Sequence, residues 1–215
     1  VASDGGIDYY NSVLDFVDEV SRETPAPGGG SVAALAGALG GALTSMVANL
    51  SVGKGEFDSH YDRLCGMACQ AQEIKDSLVN GVDDDTKAFD SVLAGMRMPQ
   101  DSEEEKKARE AAIEDGYKNA TAVPLETAEL CLKAMVLADQ MADMASEGMM
   151  SDVGTGCLMA EAGLRSAVYN VRINLPNISD QEFKREIVGR IKDLLDDCQR
   201  LGDSVSGKVE ITFDL

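Results

Sequence analysis

The residues best able to do chemistry in this sequence are an aspartate and two asparagines that break otherwise regular helical stripes. Leu78, Val82, Asp85, Phe89 and Val92 follow one another at steps of four and three, so Asp85 shares the inward face of its helix with apolar neighbours. A carboxylate held there must find a partner or accept a raised pKa. That makes it either a proton-transfer group or a structural cap or ion pair of a neighbouring helix. Between Ser151 and Asn174 a second stripe, Asp152, Gly156, Met159, Gly163, Ser166, Asn170 and Asn174, is small or polar throughout apart from one Met. Such a stripe either lines a cavity, with the amides of Asn170 and Asn174 reading a ring that carries donors and acceptors, or forms a close helix–helix contact. Gly28-Gly29-Gly30-Ser31, directly before an apolar helix, offers free backbone N–H groups to an anion. The plainer alternative is a flexible turn with Ser31 as N-cap. Lys54, between two glycines, could extend an ammonium toward a carboxylate. His60 is the only histidine, which excludes His-rich metal sites.

The periodicity predicts helices to position these groups. An amphipathic helix spans about Ile7 to Arg22, and a buried helix of small and aliphatic residues spans Val32 to Leu50. In the latter Gly37, Gly40, Gly41 and Thr44 line one side, as close approach of another backbone requires. The longest helix is expected from Phe57 to Arg97, bent near Gly81. Another starts in the acidic stretch after Pro99, and a separate one opens at Val123-Pro124-Leu125 and is closed by Gly148. Ser151-Asp152 caps the helix that runs to Asn174. Ser179 with Glu182 forms a capping box for the last helix, to about Val205. The tail Lys208 to Phe213 alternates like an extended strand. The expected architecture is all-α: a single domain over residues 1–215, a bundle of six or seven helices with one long central helix and a short extended C-terminal tail.

Composition narrows the function. The 215 residues carry a formal charge of −19, which sets nucleic acid and acidic membrane surfaces aside as partners. Hydrophobic residues make up 44% but aromatics only 5%, which suits helix-on-helix packing. The five cysteines form no CxxC pair, as expected of reduced thiols in a cytoplasm. There is no signal-peptide pattern and no uninterrupted apolar run of about 18 residues, so a soluble cytoplasmic protein is expected.

Thr24-Pro-Ala-Pro-Gly-Gly-Gly-Ser-Val-Ala-Ala-Leu-Ala-Gly-Ala-Leu-Gly, continued by Met46-Val-Ala-Asn-Leu-Ser-Val-Gly-Lys54, resembles the signature of a folate-enzyme family. That family comprises the cyclodeaminase domain of formiminotransferase-cyclodeaminase and the stand-alone methenyltetrahydrofolate cyclohydrolases. Asp83-Asp-Asp-Thr-Lys-Ala-Phe, Val123-Pro-Leu, Ser151-Asp-Val-Gly and Asn170-Val-Arg-Ile-Asn-Leu175 agree in order, while Glu147-Gly-Met-Met150 departs from the Gly-Asn-containing turn of relatives. The resemblance implies an all-helical homodimer acting on tetrahydrofolate one-carbon derivatives, with no cofactor beyond that substrate. It also promotes the residues already singled out. Asp85 would move the proton, with Asp83 or Asp152 as a second acid and Lys54 in support. Gly28, Gly29, Gly30 and Ser31 of the turn would bind substrate, Asn170 and Asn174 would hold the pterin, and Lys54 with Arg172 would meet the folate glutamate. The expected reaction is hydrolysis of 5,10-methenyltetrahydrofolate to 10-formyltetrahydrofolate. The alternatives are a cyclodeaminase supplied by a separate formiminotransferase, and a folate-binding regulatory module without turnover.

Overall fold

A computed structural model of the chain describes residues 13–52 and 59–213. Its helices are α1 (Val13–Val20), α2 (Gly29–Ser51), α3 (Tyr61–Met96), α4 (Glu103–Ala142), α5 (Met150–Asn174) and α6 (Gln181–Phe213). Short 3-10 turns, Glu147–Met149 and Leu175–Asn177, flank α5. No strand occurs among the described residues, so the all-α expectation holds.

The bundle is organised around α2, which packs against α3, α4 and α5. Its glycines make this possible. A Cβ at Gly37 would lie 2.3 Å from Cys131 Sγ of α4, and one at Gly40 would lie 2.6 Å from the Gly156 carbonyl of α5. Gly163 answers from α5, where a Cβ would come within 2.8 Å of the Ala33 carbonyl. Gly29 lies against Asn170 and Gly40 against Gly156, so α2 and α5 run antiparallel. Among the described helices α2 alone is long and apolar enough to cross a membrane, but most of its apolar window is buried in the bundle. Leu64, Leu78, Met135, Met141, Leu164 and Val171 fill the surrounding core. All five cysteines are free thiols. Burial pushes Cys131 and Cys157 up to about 12, which leaves them inert packing groups.

Several local expectations are corrected. Val123-Pro124-Leu125 opens no new helix: α4 runs 40 residues with Pro124 inside it and is the longest element, ahead of α3 with 36. Burial of Thr121, Pro124, Leu125 and Ala128 on one side outweighs the proline's local preference for a helix start. Helix α3 continues through Gly81, which rests against Ala34. The acidic start of α4 is a capping box, Ser102 Oγ accepting the Glu105 N–H while Glu105 accepts that of Ser102. Gly148 closes no helix; α4 ends at Ala142 and Gly148 lies in the following 3-10 turn. That turn leads directly into α5, so Ser151 and Asp152 lie in its first turn and Ser151 is not its cap. Asp180, rather than a Ser179–Glu182 box, caps α6: its Oδ1 accepts from the N–H groups of Glu182 and Phe183, while Glu114 takes those of Ser179 and Asp180. The tail is helical as well. Lys208 reaches from α6 to Asp139 and Asp143 of α4, and Val209 packs against Gly154, so continuing the helix gains contacts that an extended strand would lack. Of the expected N-terminal helix, the described part is α1, which buries Phe16 and Glu19.

Candidate functional site

The polar exceptions of three helices meet at one end of the bundle. Asp85 of α3 faces the first turn of α2, where its Oδ2 lies 3.0 Å from the Ser31 N–H nitrogen and 3.1 Å from Ser31 Oγ. The carboxylate therefore caps a helix from another element, taking an N–H that α2 cannot satisfy internally. Gly30 makes the approach possible, because a Cβ there would sit 2.0 Å from Asp85 Oδ1. Burial pushes the Asp85 carboxyl above the ordinary aspartate value, and the two bonds from Ser31 only partly oppose that. Among the described residues Asp85 has no ion-pair partner.

The Ser31 hydroxyl lies equally close, 3.1 Å, to the Val82 carbonyl oxygen. It has one proton for two acceptors. When Asp85 is ionised the hydroxyl can donate to it. When Asp85 is protonated, its own O–H can donate to Ser31 Oγ while that hydroxyl turns to Val82. Both protonation states are thus satisfied without moving a heavy atom, as a group that repeatedly takes and returns a proton requires.

Asp85 opens onto a cavity of about 510 Å³. Gly28, Gly29, Asn170 and Asn174 supply its polar edge, while Phe89, Val92, Met96, Tyr117 and Ile173 supply apolar wall. That size and mixture suit a flat, partly polar organic ligand. Asn170 Nδ2 donates to the Ser166 carbonyl at 2.9 Å, and Asn174 Nδ2 donates to the Ala120 and Asn170 carbonyls at 2.7 and 3.1 Å. The two readings of the α5 stripe each apply to part of it: Gly156 and Gly163 make the close helix contact, and Asn170 and Asn174 line the cavity.

The remaining candidates lie elsewhere. Asp83 is half-buried but turned roughly 200° around α3 from Asp85, and it does not line the cavity. Asp152 lies 18 residues before Asn170 on α5, about 27 Å along the axis at 1.5 Å per residue, so one chain cannot bring it to Asp85. Arg172 is exposed and lines a shallow groove with Val188 and Lys192, so within this chain it does not meet a ligand in the cavity. Lys54 lies outside the described residues. Sequence reasoning missed Tyr117, Ile173 and Asn177 as lining residues and Ala120 as the anchor of Asn174. Only the last left a readable signal, a proline four residues later.

Fold and site together define an all-helical protein with a half-buried carboxylate, without an ion-pair partner among the described residues, at the mouth of a half-polar cavity. The model of the formiminotransferase-cyclodeaminase family matches residues 12–193, and the chain belongs to that family. It is 35% identical over 202 residues to a methenyltetrahydrofolate cyclohydrolase of Methylorubrum extorquens, covering 92% of this chain and 97% of that protein. It is 33% identical to the formimidoyltransferase-cyclodeaminase of Rattus norvegicus, where the match covers 93% of this chain but 37% of the larger protein. A formiminotetrahydrofolate cyclodeaminase from Thermotoga maritima shares the fold, with a TM-score of 0.84 at 23% identity over 93% of this chain and 96% of that one.

Proposed function

We propose that this chain hydrolyses 5,10-methenyltetrahydrofolate to 10-formyltetrahydrofolate, with Asp85 as the proton-transfer group. The observation that carries the reading is the Asp85 carboxyl, raised by burial, satisfied in both protonation states and open to a cavity edged by two carboxamides. Water adds to the methenyl carbon while Asp85 accepts one of its protons, giving a neutral carbinolamine. Collapse to the formyl group then breaks the bond to N5, which receives the proton back from Asp85 as the hydroxyl proton leaves to solvent. The net release is one proton, and neither a metal nor a redox cofactor enters the balance. Asn170 and Asn174 hold the pterin.

The cyclohydrolase is preferred because the chain is 35% identical to a relative bearing that name and spans 97% of it, whereas the cyclodeaminase of similar span is only 23% identical. The matched segment of the larger relatives favours a second reading, closure of a 5-formimino group with loss of ammonia, fed by a separate formiminotransferase. Loss of near-UV absorbance of 5,10-methenyltetrahydrofolate, at a pH where spontaneous hydrolysis is slow, tests the first. Without acceleration, appearance of the same chromophore from the 5-formimino compound tests the second. Folate binding without either reaction would indicate a regulatory module.

We further propose a cytoplasmic homodimer. Val32, Leu39, Met46 and Leu50 of α2 and Leu158, Tyr169 and Ile173 of α5 are exposed, and because these helices pack side by side they form one apolar face. Light scattering on Leu39→Glu checks this: the wild type is expected as a dimer and the variant as a monomer.

A further inference from the structure

Asn174 is fixed by a defect in a neighbouring helix. Pro124 has no N–H, so the carbonyl four residues before it in α4, that of Ala120, lacks its usual helical donor. That carbonyl lines the cavity and accepts from Asn174 Nδ2 at 2.7 Å, the second amide hydrogen going to the Asn170 carbonyl at 3.1 Å. Two carbonyl oxygens on one end of the carboxamide settle its orientation, since a flipped group would point its own oxygen at both. Both N–H bonds are then spent within the protein, and Oδ1 has no hydrogen-bond donor among the described residues.

We propose that Pro124 is a positioning residue for substrate recognition: by freeing the Ala120 carbonyl it locks Asn174 so that the cavity is offered a hydrogen-bond acceptor and no donor at that point. The ligand group that meets Asn174 is accordingly an N–H donor, as on the amino-bearing edge of a reduced pterin. Asn170 differs. One of its amide hydrogens is bound to the Ser166 carbonyl, leaving a donor and an acceptor for the neighbouring ring positions. The proposal rests on the folate reading for the identity of the ligand, though not for the lock itself.

The lock is tested first in the unliganded wild-type protein by hydrogen exchange of assigned side-chain amides. The Asn174 protons should exchange several-fold more slowly than those of exposed Asn177, and equal rates would overturn the proposal. The second test is a double-mutant cycle in the full-length enzyme with 5,10-methenyltetrahydrofolate. Pro124→Ala returns an N–H that competes for the Ala120 carbonyl. It should raise KM about five- to tenfold with kcat within twofold, yet change KM less than twofold in an Asn174→Ala background. An unchanged KM, or the same rise in both backgrounds, would show that Pro124 does not act through Asn174. Absence of turnover in the wild type would refute the folate reading while leaving the exchange result to decide the lock.

Discussion

Two half-buried aspartates at different places in the bundle have opposite properties. Among the described residues Asp85 meets only the Ser31 hydroxyl and N–H groups, and burial raises its carboxyl. Asp139 is also pushed up by burial, but bonds from Ser204 and Lys208 and the charge of Lys208 more than reverse that and hold it below its ordinary value. The difference lies in the deeper burial of Asp85 and in the cation beside Asp139. Beside Asp139 an ammonium 2.9 Å away fixes the ionised form and ties α6 to α4, whereas among the described residues only neutral donors oppose desolvation beside Asp85. Burial with a cation makes a fastening; burial without one makes a proton carrier.

The largest expected effect separates the two directly. Asp85→Asn should lower kcat by about 10²- to 10⁴-fold, the range for losing a general acid–base group, while Asp139→Asn leaves kcat within about twofold. Comparable losses in both variants would end the distinction. Gly30→Ala should follow, since its Cβ would fall 2.0 Å from Asp85 Oδ1 and must displace the carboxylate or the start of α2. A loss of about 1–3 kcal/mol of stability by overpacking is expected, with kcat lowered at least tenfold. Full activity in that variant would show that the carboxylate works from another position.

Stability against pH sharpens the comparison through its sign. The folded carboxyl of Asp139 lies below its unfolded value, so its contribution is present above that value and is lost as pH falls through the folded one. Asp139→Asn should therefore cost about 1 kcal/mol at pH 7 and progressively less in acid. Asp85 behaves oppositely: with its folded pKa raised, the ionised form costs stability at neutral pH, and acidification relieves the cost. Asp85→Asn should melt above wild type at pH 7, with the gap closing in acid. Calorimetry from pH 7 to pH 3 reads both signs, and parallel curves would mean that the two environments do not differ as described.

Sequence periodicity made much of this site legible, because a residue that breaks a strong pattern stands out. Asp85 interrupts a stripe ending in Val92, and Asn170 and Asn174 extend a stripe of glycines; the structure places all three at one cavity. The glycines of α2 likewise foretold close backbone contact. Periodicity reports the face of a helix and is silent on position along it, so it gave Asp152 the same standing as Asn170 although the two lie about 27 Å apart. Arg172 was grouped with Asn170 and Asn174 by the family resemblance and not by periodicity, which turns it about 200° from Asn170, and the structure sets it in a separate groove. Pro124 misled for a different reason. Local propensity allows proline at a helix start, whereas burial of one side of α4 held it continuous, and the missing N–H left the Ala120 carbonyl as a free acceptor.

The smallest expected effect concerns the hydroxyl that distinguishes Asp85 from an ordinary buried acid. Ser31→Ala removes one of the two bonds that lower the Asp85 carboxyl, while the backbone N–H at residue 31 and the burial remain. The carboxyl should rise further, so the acidic limb of the kcat/KM profile should move to higher pH. A proton acceptor must be ionised, so the rate in weak acid should drop several-fold while the high-pH plateau changes less. Removing the hydroxyl also leaves protonated Asp85 without its acceptor on Ser31, which costs the protonated state and limits the upward shift. A net upward movement means the hydroxyl chiefly serves the ionised form. A downward movement would mean that its main partner is the protonated acid, reversing the role assigned to Ser31 while leaving Asp85 as the group that titrates.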